Sequence, residues 1–312
     1  MMNKAIVTTT INPPTKALLK FIEIGKKDGW SVVIVGDQKT PHNDYKLLDD
    51  KHNHVHYLTP EMQSEGWPEL SRLIGWNCIQ RRNFGLLMAY HELKAEVIAT
   101  VDDDNIPYDD WGKDFMVGKV LEIQTYHTED DVFDPLSPIF PHLWHRGFPI
   151  QNLDKRTLSK VSRTSRKVLV QADFWDDAPD VDAVCRATLN PRIQFEKGMS
   201  PFCSDKIAPF NSQNTFLHRS LFPTYFLFPG VGRMDDIWAA YVTQFKFPDS
   251  VVFAKASVKQ ERNEHDIFKD LEAEMLGYQH NHEFVKAYEG WQKFLPAESL
   301  EAYEEYQRCF NG

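Results

Sequence analysis

Val97-Ile98-Ala99-Thr100-Val101-Asp102-Asp103-Asp104-Asn105 decides how the rest of the chain is read. An apolar, β-branched run of strand length stops abruptly in three carboxylates and an Asn, the pattern of a buried parallel strand that delivers charge to a sheet edge. Adjacent carboxylates repel one another and are costly to desolvate, so they persist most easily where a cation neutralises them. An all-oxygen donor set suits a hard divalent ion, Mn2+ or Mg2+, which bridges protein carboxylates to a ligand's phosphates. In open α/β sheets the ligand crevice lies outside the carboxyl ends of the strands, so position and chemistry agree on a nucleotide diphosphate. The plainer alternative is an acidic helix cap or a solvated turn leading into Asp109 and Asp110.

Upstream, residues 4–9 (K-A-I-V-T-T) read as a first strand that ends in Thr8, Thr9 and Thr10, and Asn12-Pro13-Pro14 forbids its continuation. Leu18, Leu19, Ile22 and Ile24 among lysines predict an amphipathic helix closed by Gly25 or Gly29. Residues 30–35 (W-S-V-V-I-V) are a second buried strand, ending in Gly36-Asp37. Strand, helix and strand make a right-handed βαβ unit with parallel strands. Thr8, Thr9, Thr10 and Asp37 therefore share an edge with Asp102, Asp103 and Asp104, where an Asp accepts hydrogen bonds from a ribose or a base N–H. No G-x-G-x-x-G follows the first strand, so the dinucleotide fingerprint is missing. Residues 54–58 predict a third strand, and residues 79–93 a helix with Arg81 and Arg82 in its first turn. The helix dipole favours anions there; a bound phosphate resolves the conflict, and so does an Arg pair bridging surface carboxylates.

Further on, residues 126–149 read as ordered irregular structure over a site, and residues 168–172 and 181–187 as short strands or turns. The aromatic residues 217–228 belong in a core. Asp235 and Asp236 open an apolar helix, where they serve as cap and first-turn acids. Residues 263–312 predict a C-terminal helical appendage on a domain of residues 1–262.

A length of 312 residues with 42% hydrophobic and 26% charged content is that of a soluble globular protein. A net charge of −10 excludes a general nucleic-acid or anionic-membrane binder, although residues 156–167 form a basic stretch, either solvated or an anion or acceptor site. Cys78, Cys185, Cys203 and Cys309 are scattered, which suggests neither zinc nor disulfides and points to a reducing compartment. With no signal-type apolar region and no membrane span, a cytoplasmic protein is expected. A homo-oligomer stays open.

Read together, V-T-T-T-I-N-P-P-T-K-A (7–17), V-V-I-V-G-D-Q-K-T-P (32–41) and R-R-N-F-G-L-L-M-A-Y (81–90) are similar to the pattern of STELLO-type glycosyltransferase-like domains. The DXD-like Asp102-Asp103-Asp104, Arg146-Gly147-Phe148-Pro149 and Gly232-Arg233-Met234-Asp235-Asp236-Ile237-Trp238-Ala239 resemble the motifs of UDP-arabinopyranose mutases, the reversibly glycosylated polypeptides. The resemblance covers about residues 5–257 and implies the GT-A class, an α/β fold with a Rossmann-type mixed, mostly parallel sheet. It also implies a UDP-sugar partner, with Mn2+ or Mg2+ on Asp102 and Asp104. Thr8, Thr9, Thr10, Asp37, Arg81, Arg82, Asp102 and Asp103 would lie about the nucleotide. Arg146 would carry the sugar, with Asp235 and Asp236 as acid/base groups or hydroxyl ligands.

The implied activity is a pyranose/furanose mutase that breaks and re-forms the sugar–diphosphate bond. The alternative is a glycosyltransferase that moves the sugar to a glycan or other acceptor. Arginine stays protonated and is a poor nucleophile, so a phosphate-clamp role for Arg146 stays open. His142 and His145, just before it, are candidate proton shuttles. The chain departs from the mutase pattern twice. Phe253-Ala254-Lys255-Ala256-Ser257 lacks a preceding His, leaving His265 as a substitute metal ligand, and the second Arg comes late, at Arg156.

Overall fold

The computed structural model describes residues 2–156, 158–261 and 266–311. β1 (Lys4–Thr10), α1 (Lys16–Asp28) and β2 (Ser31–Gly36) form the expected βαβ unit, with Thr10 opposite Gly36 in parallel register. Thr15 caps α1 by accepting the Leu18 N–H, and Gly29 closes it in left-handed backbone at φ 72°. Then come α2 (His42–Lys51), β3 (Val55–Leu58), α3 (Pro60–Gly66), α4 (Pro68–Ile74) and α5 (Arg82–His91), which lead into β4 (Val97–Val101). β4 pairs in parallel with β1, and both strands are buried along almost their whole length, which explains their unbroken β-branched runs. α5 approaches β1 so closely that a Cβ on Gly85 would sit 2.4 Å from Val7 Cγ1.

The chain continues through β5 (Asn105–Pro107), β6 (Val120–Thr128), β7 (Leu158–Lys167), β8 (Val170–Asp177), α6 (Ala183–Leu189) and β9 (Phe202–Ser204). It ends with β10 (Asn214–His218), α7 (Asp235–Lys246), β11 (Val251–Gln260), α8 (Ile267–Phe284) and α9 (Ala297–Arg308). One sheet results, in the order β3-β2-β1-β4-β10-β8-β11-β9-β6-β7, with β5 added on β11. Strands β3, β2, β1, β4, β8, β11 and β7 run one way, and β10, β9 and β6 run the other. The mixed α/β fold with a mostly parallel sheet is thus present. The carboxyl ends of β1, β2, β4, β8 and β11 meet the entry to β10 at one edge, which is where the acids stand.

Several local expectations change. Residues 181–187 belong largely to helix α6, because Asp182 caps it by accepting the Cys185 N–H at 2.7 Å. The irregular stretch begins only after β6 ends at Thr128, and most of the basic segment is β7, the outer strand of an antiparallel pair with β6. In the strand order β9 and β6 separate β7 from β11, on whose end Asn105 pairs. α8 and α9 share the hydrophobic core with the sheet. Trp238 stacks on Phe284 at 4.5 Å, Asn281 Nδ2 donates to the Gly147 carbonyl at 2.9 Å, and Tyr306 OH donates to the Phe222 carbonyl at 2.8 Å. The expected boundary at residues 262 and 263 lies outside the described residues. No helix among the described residues is long and apolar enough to cross a membrane.

Asp182 also accepts Trp144 Nε1 at 2.6 Å, and burial pushes its carboxyl up to about 7. The folded chain therefore keeps a proton that the unfolded chain releases near pH 4. That contribution is full below about pH 4 and is lost as pH rises through about 7. Asp182→Asn, which retains the cap, is expected to gain about 2 to 3 kcal/mol on the wild type between pH 5 and pH 8. Urea unfolding at both pH values checks this, and an unchanged difference contradicts it.

Candidate functional site

The carboxyl edge is built around Asp103. Its Oδ2 accepts Thr10 Oγ1 at 2.5 Å and Asn12 Nδ2 at 3.0 Å, and its carbonyl accepts Thr15 Oγ1 at 2.5 Å. Asp103 lines two cavities. One, of about 220 Å³, is also lined by Thr9, Thr10, Asp37, Asn77 and Cys78, with the exposed Ile11 and Ile79 among its walls. The other, of about 290 Å³, lies at the start of α1 and is lined by Asn12, Thr15, Lys16, Asp104 and Glu261.

Of the expected nucleotide residues, Thr9, Thr10, Asp37 and Asp103 converge on the first cavity. Thr8 is fully buried and lines neither. The Thr9 hydroxyl oxygen is buried without a hydrogen-bond partner. Asp37 accepts the backbone N–H groups of Gln38, Asn77 and Cys78 at 2.6, 2.8 and 3.0 Å. It therefore shapes the wall by holding the loop that carries Asn77, whose φ is 60°.

Both arginines are engaged within the protein. Arg81 is buried between the rings of Trp76 and Phe84, at 3.7 and 4.1 Å, and donates from Nε to Gln63 Oε1 at 2.7 Å. Burial pushes its pKa down to about 10. Arg82 donates from Nη2 to Asp102 Oδ1 at 2.6 Å and from Nη1 to the Ser212 carbonyl and hydroxyl, each at 2.8 Å. Asp102, expected as a metal ligand, thus has an ion pair on its inner side, and burial raises its pKa.

From Ser212 the network runs inward. Its N–H and hydroxyl donate to Asp236 Oδ2 at 2.9 and 3.2 Å. Arg146 donates to both oxygens of Asp236, at 2.9 and 3.2 Å, and from Nε to both oxygens of Asp180, at 2.8 and 3.0 Å. Its Nη1 also meets the Arg233 carbonyl. Arg233 in turn pairs with Glu274 at 2.8 Å and Asp270 at 3.3 Å on α8. Burial alone would lower the pKa of Arg146, but Asp180 and Asp236 raise it well above the ordinary value. The guanidinium is fully engaged, so the sugar-carrying role implied by the resemblance lacks a neutral, open nucleophile here.

Asp236 is likewise occupied, whereas Asp235 accepts Gln80 Nε2 at 2.8 Å. Burial, and then the neighbouring Asp236, push the Asp235 carboxyl up to about 7, as befits a proton-transfer group. His145 is buried, hydrogen-bonded to the Arg146 carbonyl at 2.6 Å, and pushed down by burial. Arg156 holds the irregular stretch by pairing with Asp134 at 2.6 Å. His265 lies outside the described residues.

No group of three His, Cys, Asp or Glu residues among the described residues converges into a metal cage. A hard ion that bridges one or two carboxylates to phosphates needs no such cage. Asp103 and Asp104, both lining the 290 Å³ cavity, fit that mode with oxygen donors alone.

Reasoning from sequence missed Asn12, Thr15, Lys16 and Glu261 as cavity walls and Asp180 as the anchor of Arg146. The first three follow directly on Thr10 and were findable as a polar stretch at the same edge. Asp180, 34 residues from its partner, had no local signal.

No protein family matches this chain, and no curated protein does. Among solved structures it is similar to the mannosyltransferase PcManGT from Pyrobaculum calidifontis, in complex with GDP-Man and Mn2+. The identity is 12%, over 98% of this chain and 69% of that chain, with a TM-score of 0.41. A likeness that distant says nothing of substrate.

Proposed function

We propose that the protein is a metal-dependent glycosyltransferase that uses a nucleotide-diphosphate sugar. The observation that carries this reading is Asp103, set between a cavity walled by Ile11 and Ile79 and a polar cavity at the start of a 13-residue helix. The first suits a flat base and its ribose. The second suits a diphosphate, with Lys16 and the amino end of α1 as its cationic side. Asp103 and Asp104 would hold Mn2+ or Mg2+, which supplies charge neutralisation on the departing diphosphate. Thr10 and Asn12 orient the Asp103 carboxylate for that task. Asp235, with spare acceptor capacity beside Gln80, is the group suited to take a proton from an acceptor hydroxyl. The sequence resemblance points to UDP as the nucleotide.

A transferase, rather than a mutase, is favoured by the engagement of Arg146 with two carboxylates. The test is to incubate the protein with Mn2+ and a panel of UDP-sugars, with and without glycan acceptors, following products by chromatography and the protein by intact mass. Release of UDP without ring isomers, accelerated by an acceptor, is expected. Pyranose/furanose interconversion with a sugar-sized mass adduct, lost in Arg146→Lys, would restore the mutase.

A further inference from the structure

We propose that the outer edge of β7 is a docking strand for an acidic, extended segment of a partner protein, which pairs with β7 and continues the sheet. This role uses none of the residues of the candidate site. β7 ends the strand order, and among the described residues its backbone bonds to β6 alone. The pairing keeps its register from Lys160 to Lys167. In an antiparallel pair alternate residues turn their N–H and C=O groups away from the neighbouring strand, so β7 presents a row of them outward. An extended peptide is the ligand that matches such a row, one main-chain group for another.

The side chains set the sign of the partner. Residues 158–167 hold Lys160, Arg163, Arg166 and Lys167 and no acid, in a chain whose net charge is −10. Arg166 is buried and pairs with Asp249 at 2.5 Å. Lys160, Arg163 and Lys167 are exposed, and among the described residues they pair with no carboxylate; Arg163 donates to the Glu122 carbonyl at 2.7 Å. Val161, Arg163, Ser165 and Lys167 alternate along one face of the strand, all exposed. An acidic segment is repelled by most of the chain and drawn to this edge, where acids at alternate positions meet Arg163 and Lys167. A second copy of the chain would instead set like charges against one another across the new pair. Lysines on an edge also discourage chance pairing, but edges blunted for that purpose are short, bulged or broken by Pro. β7 is 10 residues long, holds its register and has no Pro.

The experiment titrates the full chain into a fluorescein-labelled peptide of alternating Glu and Thr, as long as β7, at low salt and follows anisotropy. Binding is expected, and hydrogen exchange of the β7 amides should slow in the complex. Methylating the backbone nitrogens of alternate peptide residues is expected to weaken binding at least about tenfold for one of the two alternate sets and little for the other, because only one set bonds to the edge. The variant combining Lys160→Glu, Arg163→Glu and Lys167→Glu is expected to bind at least about tenfold more weakly with an unchanged urea midpoint, its three side chains being exposed. Should that variant unfold, the methylated peptides on the wild type still decide. Absence of binding overturns the assignment. Equal effects of the two methylated sets with no slowing of exchange also overturn it, since charge alone would then hold the peptide. Equally tight binding of an oligothymidylate of the same charge does so too, by marking a general polyanion surface, as does self-association of the wild type that the charge-reversed variant loses.

Discussion

Replacing Arg146 with Ala is expected to destabilise the folded chain by about 3 to 5 kcal/mol, the effect of removing one partner from a buried ion pair. Asp236 would stay buried without its cation, and Asp180 with only Arg233, at 4.0 Å. Burial alone would raise the Asp180 carboxyl, yet the Arg146 guanidinium holds it well below the usual range. Its contribution to stability is therefore present above about pH 4 and lost as pH falls. Arg146→Ala should flatten that acid limb as well as lower the urea midpoint at pH 7. The variant separates the two readings of this arginine. Unchanged stability with activity lost would mean that the guanidinium acts on the substrate, against the structural role argued here.

The second large effect is on turnover. Asp103→Ala is expected to lower kcat/KM by about a thousandfold or more, because the residue proposed to align the metal and the diphosphate is gone and several kcal/mol of charge stabilisation would go with it. Its partners Thr10, Asn12 and Thr15 lie at the rim of the sheet, so unfolding behaviour should change little. Chelation of the divalent ion from the wild type should mimic the variant, and added Mn2+ should rescue the first but not the second. Steady-state kinetics beside a urea titration makes the comparison. Full activity in Asp103→Ala would remove the acid edge from the mechanism.

The parallel half of the sheet was legible because strands buried on both faces must be apolar without interruption, so β1, β2 and β4 could be read together with the edge where their polar ends meet. Those polar ends bring Thr9, Thr10, Asp37 and Asp103 to the wall of one cavity. The arginines were misread because a helix amino end is a local signal, whereas Asp102 and Ser212, the partners of Arg82, lie 20 and 130 residues away. Arg81 failed for a related reason: its aromatic sandwich with Trp76 and Phe84 fills a core, and nothing in R-R-N-F distinguishes that from a surface cation. Residues 181–187 misled through Val181 and Val184, β-branched residues that a short capped helix tolerates once Asp182 holds its first turn. The role of α8 was hidden as well, since Glu274 and Asn281 look like ordinary solvent-facing residues until Arg233 and Trp238 meet them.

Asp103 and Asp104 are proposed to bind a nucleotide diphosphate through a divalent cation. This binding is tested most directly by calorimetric titration of UDP and GDP into the wild type and Asp103→Ala, with Mn2+ and again after its chelation. One of the nucleotides is expected to bind the wild type only when Mn2+ is present and to bind Asp103→Ala at least about a hundredfold more weakly. Binding that ignores both the metal and the substitution, or no binding of either nucleotide, would contradict the account.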